Sequence, residues 1–465
     1  MKYLAAIVIL FTLTGARRSD VEMSTFTFSP FGTVRLYPAA ASAEKERLTL
    51  FVTGDGGWSP TMNHLAEMLV HRGSAVVSIN IAPYIKALRA APGACGYPAG
   101  DFENLAKAAE KQLGFHEYHR PLLIGYSSGA TLVYAALNEA PKSFLGALSL
   151  GFCPDFPVTK PLCKGRGLQS KPDAKAHGVD FLPDASLEAK WIVFQGDSDQ
   201  VCAPASTEEF TRAVKDAEFI LLPKVGHGFS VWDRWHNQFD EAFHRLIDPE
   251  EMSRSALPNL PLVELPASAA GDTMAVIVSG DGGWAGIDRD IAGELAQQGM
   301  PVVGFDSLHY FWTARTPAEA AHALEEVIDH YSTAWNRKRV LLVGYSFGAD
   351  VLPFMLTRIS PASASLVSDV FLLGLDQKAE FEFHIGDWVG STSGHAYRTQ
   401  PELLSVRGPT LHCFYGKDDA DDLCRTLPKE KVHQIMLSGG HHFNGDYRGI
   451  ADRIIESAKL ALRRE

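Results

Sequence analysis

The chain has 465 residues, enough for two to four domains of ordinary size, and its hydrophobic share of 46% and charged share of 21% suit a folded globular protein. The formal net charge of −12 excludes the basic surface that nonspecific binding to nucleic acid or to an anionic membrane requires. A local site for a cationic group stays compatible with that balance.

Residues 1–16 read as a secretory signal peptide. Lys2 supplies the positive charge, Leu4 to Leu13 the short apolar run, and Thr14-Gly15-Ala16 a small residue before the cut. An uncleaved anchor is the alternative. No later run is long and apolar enough for a transmembrane helix, so the mature chain is expected to be soluble, exported and periplasmic. Residues 17–250 and 251–465 are then an N-terminal and a C-terminal domain, joined by a polar linker near Asp248 to Asn259.

After the signal, Thr33 to Tyr37 reads as an edge strand and Leu48 to Val52 as a central one. A helix at His64 to Arg72 stops at Gly73, and a strand at Ala75 to Ile79 and a helix at Asp101 to Leu113 follow. The second half repeats the order. Leu262 to Leu265 and Met274 to Val278 are strands, Ile287 to Gln298 is a helix stopped by Gly299, and Pro301 to Phe305 is a strand. Pro317 then opens a helix that runs to His330. Later strands pair off as Leu145 to Leu150 with Val370 to Leu375, Trp191 to Phe194 with Thr410 to Phe414, and Phe219 to Leu222 with Gln434 to Leu437. Irregular excursions lie at Cys153 to Pro183 and Gln377 to Pro401. Strands alternating with helices predict α/β units around a mostly parallel sheet.

Four motifs recur in the same order. Gly54-Asp-Gly-Gly-Trp58 returns as Gly280-Asp-Gly-Gly-Trp284, and Gly125-Tyr-Ser-Ser-Gly129 as Gly344-Tyr-Ser-Phe-Gly348. Phe194-Gln-Gly-Asp-Ser-Asp199 returns as Phe414-Tyr-Gly-Lys-Asp-Asp419, and Gly226-His-Gly-Phe229 as Gly440-His-His-Phe443. The first glycine and the central serine are separated by 73 residues in one copy and 66 in the other. Recurrence at similar spacing marks a duplicated domain. A strand, G-x-S-x-G and a helix form a nucleophile elbow, which lifts a serine hydroxyl above the sheet edge. The chain is therefore expected to hold two tandem α/β-hydrolase-like domains, each a mostly parallel sheet flanked by helices.

Serine, acid and histidine follow in the order of such hydrolases. A serine hydroxyl is a weak nucleophile until a histidine takes its proton and a carboxylate orients that histidine. Ser346, Asp419 and His441 fill these roles in the second half, with Asp418 and His442 as competitors that the repeat disfavours. Ser127, Asp199 and His227 are a second triad in the first half. An oxyanion needs two backbone donors, expected at Phe347 and Asp281. The Asp281 side chain is also a candidate carboxylate for a cationic substrate group, with Asp306 and Asp350 as rivals. Trp284, Tyr310 and Trp312 are candidates to line the site, with Phe311, Phe381, Phe383 and Trp388 nearby in sequence. Six cysteines suit an oxidising compartment, with buried free thiols as the alternative. Cys413 and Cys424 are the disulfide candidates of the second half, and Cys202 and Cys424 stand at matching places in the repeat. No Cys/His spacing suggests a metal, and nothing in the motifs requires a cofactor.

At this point the residues carry a resemblance. Gly-Asp-Gly-Gly-Trp, Phe305-Asp-Ser-Leu-His-Tyr-Phe-Trp312, Gly-Tyr-Ser-Phe-Gly-Ala-Asp350 and Gly-Gly-His-His-Phe-Asn-Gly-Asp446 look like the VirJ domain, and the two-copy layout with an export signal is similar to the longer AcvB form. The likeness is close in the second half and looser in the first, where Ser128 replaces Phe347 and Tyr84-Ile-Lys replaces the Tyr-Phe-Trp run. The resemblance implies a periplasmic, virulence-linked protein. It implies hydrolysis of aminoacyl-phosphatidylglycerol, releasing lysine or alanine at the membrane surface, with Ser346 as nucleophile, His441 as base and Asp419 as its partner. It also implies secretion-system proteins as partners, in a binding role that would retain the hydrolase fold. An esterase with another substrate is a further alternative.

Overall fold

The structure is a computed structural model and describes residues 22–40, 43, 45–173, 177–247, 256–267, 271–284, 286–383 and 396–462. The expected signal peptide and Trp388 lie outside these residues. Among the described residues no helix is long and apolar enough to cross a membrane. The chain forms two compact units, one of Met1–Ala109 and Arg120–Ile247, the other of Glu110–His119 and Asp248–Glu465. The division falls three residues before the expected boundary at 250, and it groups 110–119 with the second unit.

In the first unit the strands are β1 (Ser24–Phe28), β2 (Gly32–Tyr37), β3 (Leu48–Val52), β4 (Ala75–Ile79), β5 (Leu122–Tyr126) and β6 (Gly146–Leu150). A small antiparallel sheet of β7 (Asp155–Phe156), β8 (Ser170–Pro172) and β9 (Val179–Phe181) follows, then β10 (Trp191–Gly196) and β11 (Glu218–Leu222). The main sheet runs β1-β2-β4-β3-β5-β6-β10-β11. From β4 to β11 neighbours are parallel, while β1 and β2 are antiparallel additions. This is the α/β-hydrolase strand order. β3 and β4 are buried at every residue. Strands buried at every residue need cover on both faces. The cover includes α1 (Pro60–His71), α4 (Ser128–Glu139) and α6 (His236–Ile247).

The second unit repeats the design with β12 (Leu262–Leu265), β13 (Thr273–Val278), β14 (Val302–Phe305), β15 (Arg339–Tyr345), β16 (Val367–Leu373), β19 (Thr410–Gly416) and β20 (His433–Leu437). Its sheet runs β12-β14-β13-β15-β16-β19-β20, parallel except at the β12 edge. Strand alternation divides the core. Met274, Val276, Val278, Val340 and Leu342 pack on one face with α9 (Pro317–Ala334) and α10 (Phe347–Leu356). Ala275, Ile277, Leu341 and Val343 pack on the other with α7 (Gly286–Gln297) and α13 (Tyr447–Leu462). Thr316 caps α9 in a capping box with Glu319, which fixes its start beside Pro317. The parallel strands end along one edge, and the loops there carry the repeated motifs.

Several elements differ from the sequence reading. Thr33 to Tyr37 is not an edge, because β1 pairs outside it. Helices α2 (Ile81–Ala90) and α8 (Ser307–Tyr310) follow β4 and β14, in stretches to which the sequence assigned no element. The second excursion is bounded by a short antiparallel pair, β17 (Lys378–Ala379) and β18 (Tyr397–Arg398). All six cysteines are paired, as Cys95–Cys163, Cys153–Cys202 and Cys413–Cys424.

Candidate active sites

Ser346 sits between β15 and α10 at φ 51° and ψ −121°, the left-handed turn of a nucleophile elbow. The turn works because Gly348 has no side chain. A Cβ there would lie 2.1 Å from the Val278 carbonyl oxygen on the neighbouring strand. His441, on the loop after β20, places Nε2 2.9 Å from Ser346 Oγ and Nδ1 3.1 Å from Asp419 Oδ2. Gly374 lies under the imidazole, at φ +68°, where a Cβ would be 2.6 Å from His441 Cε1. The three groups therefore form one hydrogen-bonded chain, the arrangement that carries a proton off an attacking serine.

The competitors have other contacts. Asp418 is exposed, and its amide holds the Gly439 carbonyl. His442 Nδ1 lies 2.9 Å from the Tyr345 hydroxyl. Burial, followed by the neighbouring His441, lowers the pKa of His442, while burial raises that of Tyr345. This pair braces the wall of the site beside the triad.

Phe347 is the first residue of α10, so its amide has no acceptor inside the helix. Asp281 lies in the turn after β13, closed by Gly283 N donating to Gly280 O at 3.1 Å. Gly280 packs so closely on Tyr345 that a Cβ would be 3.2 Å from its ring. The turn therefore lies against the residue preceding the serine.

The first unit builds the same constellation. Ser127 has φ 55° and ψ −124°, His227 Nε2 is 3.0 Å from its Oγ, and His227 Nδ1 is 2.8 Å from Asp199 Oδ2. Asp199 is held more fully than Asp419. Its oxygens also accept from the amides of Val201 and Cys202 and from Gln195 Nε2. Ser128 Oγ donates to Asp55 Oδ1 at 2.6 Å, a bond that Phe347 cannot make in the second unit. Among the described residues Asp199, Cys202 and His227 are also the one grouping with metal-ligand spacing. The Cys202 sulfur is bonded to Cys153 and the other two serve the triad, so the grouping is not a metal site.

Four of the candidate substrate-binding residues make contacts within the fold. Trp284 covers the sheet, its ring where a Cβ on Gly304 would be 2.4 Å away. Asp306 caps α8 through the His309 amide and pairs with His309 Nδ1 at 2.9 Å. Those bonds outweigh its burial and lower its pKa, so it is no open cation site. Tyr310 is buried and donates to the Glu319 carbonyl. Trp312 is buried, stacks on Phe383, and donates from Nε1 to the carbonyl of Phe115, in the stretch grouped with this unit. Phe311 and Phe381 are core as well. These large rings gain more from leaving water than from lining a groove.

The sequence reading passed over two acids near the triad, Asp376 and Asp422. It also matched Cys202 with Cys424. Counted from the triad acid, Cys202 stands instead at the place of Asp422, three residues on in each unit. Desolvation, and then the neighbouring Asp419 and Asp376 charges, push the Asp422 carboxyl up to about 7 against the hydrogen bond from Cys424 and the charge of Arg425. Asp350, buried one turn into α10, is also pushed up, by burial first and then by Asp376, Asp422 and Asp281.

Solved structures to which the chain is similar include the esterase domain of a Rhodothermus marinus protein, at 16% identity over 49% of this chain and 98% of that one, with a TM-score of 0.34. A dienelactone hydrolase from Anabaena variabilis is similar at 16% identity over 49% of this chain and 99% of that one, TM-score 0.34. An esterase from Thermogutta terrifontis is similar at 14% identity over 50% and 95%, TM-score 0.34. No curated protein matches the sequence. The profile of the bacterial virulence protein VirJ matches residues 46–150 and 272–462, well over half of the chain and spanning the glycine turns and elbows of both units. The chain belongs to the VirJ family.

Proposed function

We propose that the second unit is a serine hydrolase that cleaves the aminoacyl ester of lysyl- or alanyl-phosphatidylglycerol to phosphatidylglycerol and free amino acid, and that it works in the periplasm. The observation that carries this reading is the unbroken Ser346–His441–Asp419 hydrogen-bond chain in an elbow. Ser346 Oγ attacks the ester carbonyl while His441 Nε2 takes its proton, and Asp419 steadies the imidazolium. The Phe347 and Asp281 amides receive the oxyanion. Collapse expels the glycerol hydroxyl of the lipid, protonated by His441. Water, deprotonated by the same histidine, then releases the amino acid from the acyl-enzyme. The carboxylates around the site favour an acyl group that carries an ammonium. Three disulfides suit an oxidising compartment such as the periplasm.

The test is lipid analysis of cells with the protein, without it and with Ser346→Ala. Aminoacyl-phosphatidylglycerol should accumulate in the second and third and fall in the first. Equal lipid levels in all three would overturn the reading, as would failure of a serine-directed phosphonate to label Ser346.

A further inference from the structure

The two units differ most sharply at three matching positions beside the triad. Four residues after the nucleophile stand Thr131 in the first unit and Asp350 in the second. Two residues after the glycine under the histidine stand Cys153 and Asp376, and three after the triad acid stand Cys202 and Asp422. In the first unit these positions form a closed, neutral set. Cys153 is bonded to Cys202, their Cα atoms 5.3 Å apart, and Thr131 Oγ1 donates to the Cys153 carbonyl at 2.6 Å.

In the second unit the same places hold three carboxylates. The Asp376 amide donates to Asp350 Oδ1 at 2.7 Å, and Leu423 N holds the Leu375 carbonyl at 2.8 Å, which ties the two loops together. Asp350 and Asp422 are 9% and 5% exposed, and Asp376 is exposed at the mouth. Asp422 Oδ1 accepts from the Cys424 amide, while its Oδ2 is buried without a hydrogen-bond partner. Arg425 directs its guanidinium to the carbonyls of Gly416, Lys417 and Asp419. Among the described residues none of the three carboxylates has an ion-pair partner. Buried carboxylates such as Asp350 and Asp422 lose hydration, and clustered ones repel one another, a cost that a bound cation reverses. Asp350 stands one helical turn after Ser346, and Asp422 three residues after Asp419, so these two carboxylates lie on the helix and loop that carry the triad.

We propose that Asp350, Asp376 and Asp422 form an anionic recess that takes the ammonium of the substrate's acyl part, and that the first unit, with Thr131 and the Cys153–Cys202 bridge at those places, takes a neutral acyl part. The proposal rests on the reading of the second unit as an ester hydrolase.

The experiment compares an alanyl ester bearing a free ammonium with the propionyl ester of the same alcohol, in a Ser127→Ala background that leaves only the second site. The readout is the ratio of the two kcat/KM values. Asp422→Asn and Asp376→Asn keep the shape of the side chains and remove charge. Asp422→Asn should lower the ratio by roughly ten- to a hundredfold, the span of a lost charge-assisted hydrogen bond, and Asp376→Asn, whose charge is exposed and screened, by about two- to tenfold. A ratio within twofold of the parent overturns the recess. Partial misfolding lowers both rates and leaves the ratio in place, so it cannot imitate the effect. In Ser346→Ala protein, calorimetry should detect alaninamide binding that Asp422→Asn removes. Equal binding in both proteins also overturns the proposal. If aminoacyl lipid is not cleaved but the ester ratio shifts, the lipid reading falls and the recess stands. If the lipid is cleaved and the ratio does not move, the recess alone falls.

Discussion

The two units share a nucleophile backbone to within a few degrees and the same serine–histidine–acid chain, yet they surround it differently. The first encloses its acid, with the Asp199 side chain fully buried and its flanking loops locked by Cys153–Cys202. The second leaves Asp419 and His441 partly open, 21% and 40% exposed, and places carboxylates where the first has the bridge. A duplicated fold thus keeps the geometry of the reaction while the residues beside it set charge and access.

The comparison is most easily broken at the histidines. His441→Ala should lower turnover of an aminoacyl ester by about 10⁴ or more, as removal of a triad member does. His442→Ala removes only the bond to Tyr345 and should stay within about tenfold. Steady-state kinetics decides, and the reverse ranking would transfer the role of base to His442.

Next come the bridges. Cys153–Cys202 spans 49 residues and Cys413–Cys424 spans 11. Chain entropy then predicts losses of about 4 and about 3 kcal/mol when each pair is replaced by serine. Denaturant unfolding of the two variants tests the order.

Asp422 gives a pH-dependent effect. Its carboxyl titrates near 7 in the folded chain, well above the ordinary aspartate value of 3.8. Between those values the folded chain holds a proton that the unfolded chain has lost. Stability therefore falls as pH rises through this window, and the full cost applies above it. Asp422→Asn removes the cost, so the variant should be the more stable protein at pH 8, by about 1–3 kcal/mol. The difference should vanish near pH 4. A variant less stable than wild type at pH 8 would show that Asp422 acts as a cap through Cys424 and not as a strained charge.

The smallest effect belongs to Asp281. Its side chain is exposed, and its amide survives substitution. Asp281→Asn should therefore lower kcat/KM for an ammonium-bearing ester by less than about tenfold, because solvent screens an exposed charge. A larger loss would move the cation from the recess to the glycine turn.

Much of this was legible in the chain because repetition is informative. A serine, an acid and a histidine that recur in order, each at the end of an apolar run, leave few topologies. Burial was harder to read. Tyr310 and Trp312 carry both a large apolar face and a polar tip, and the residues alone do not say which one a fold uses. The β1 hairpin hid in Ser-Thr-Phe-Thr-Phe, a short polar-and-aromatic stretch with no matching segment in the second half. Asp376 and Asp422 escaped notice because charged loop residues look alike in sequence. Their partners across the repeat, Cys153 and Cys202, carry no charge to align.

The central claim is that Ser346 performs the hydrolysis. Its most direct test is amino acid release from vesicles of lysyl- or alanyl-phosphatidylglycerol by purified wild-type, Ser346→Ala and Ser127→Ala proteins. The account predicts a loss of about 10⁴ for Ser346→Ala and a change within a few fold for Ser127→Ala. Release that survives in Ser346→Ala, or an equal loss in Ser127→Ala, would contradict it.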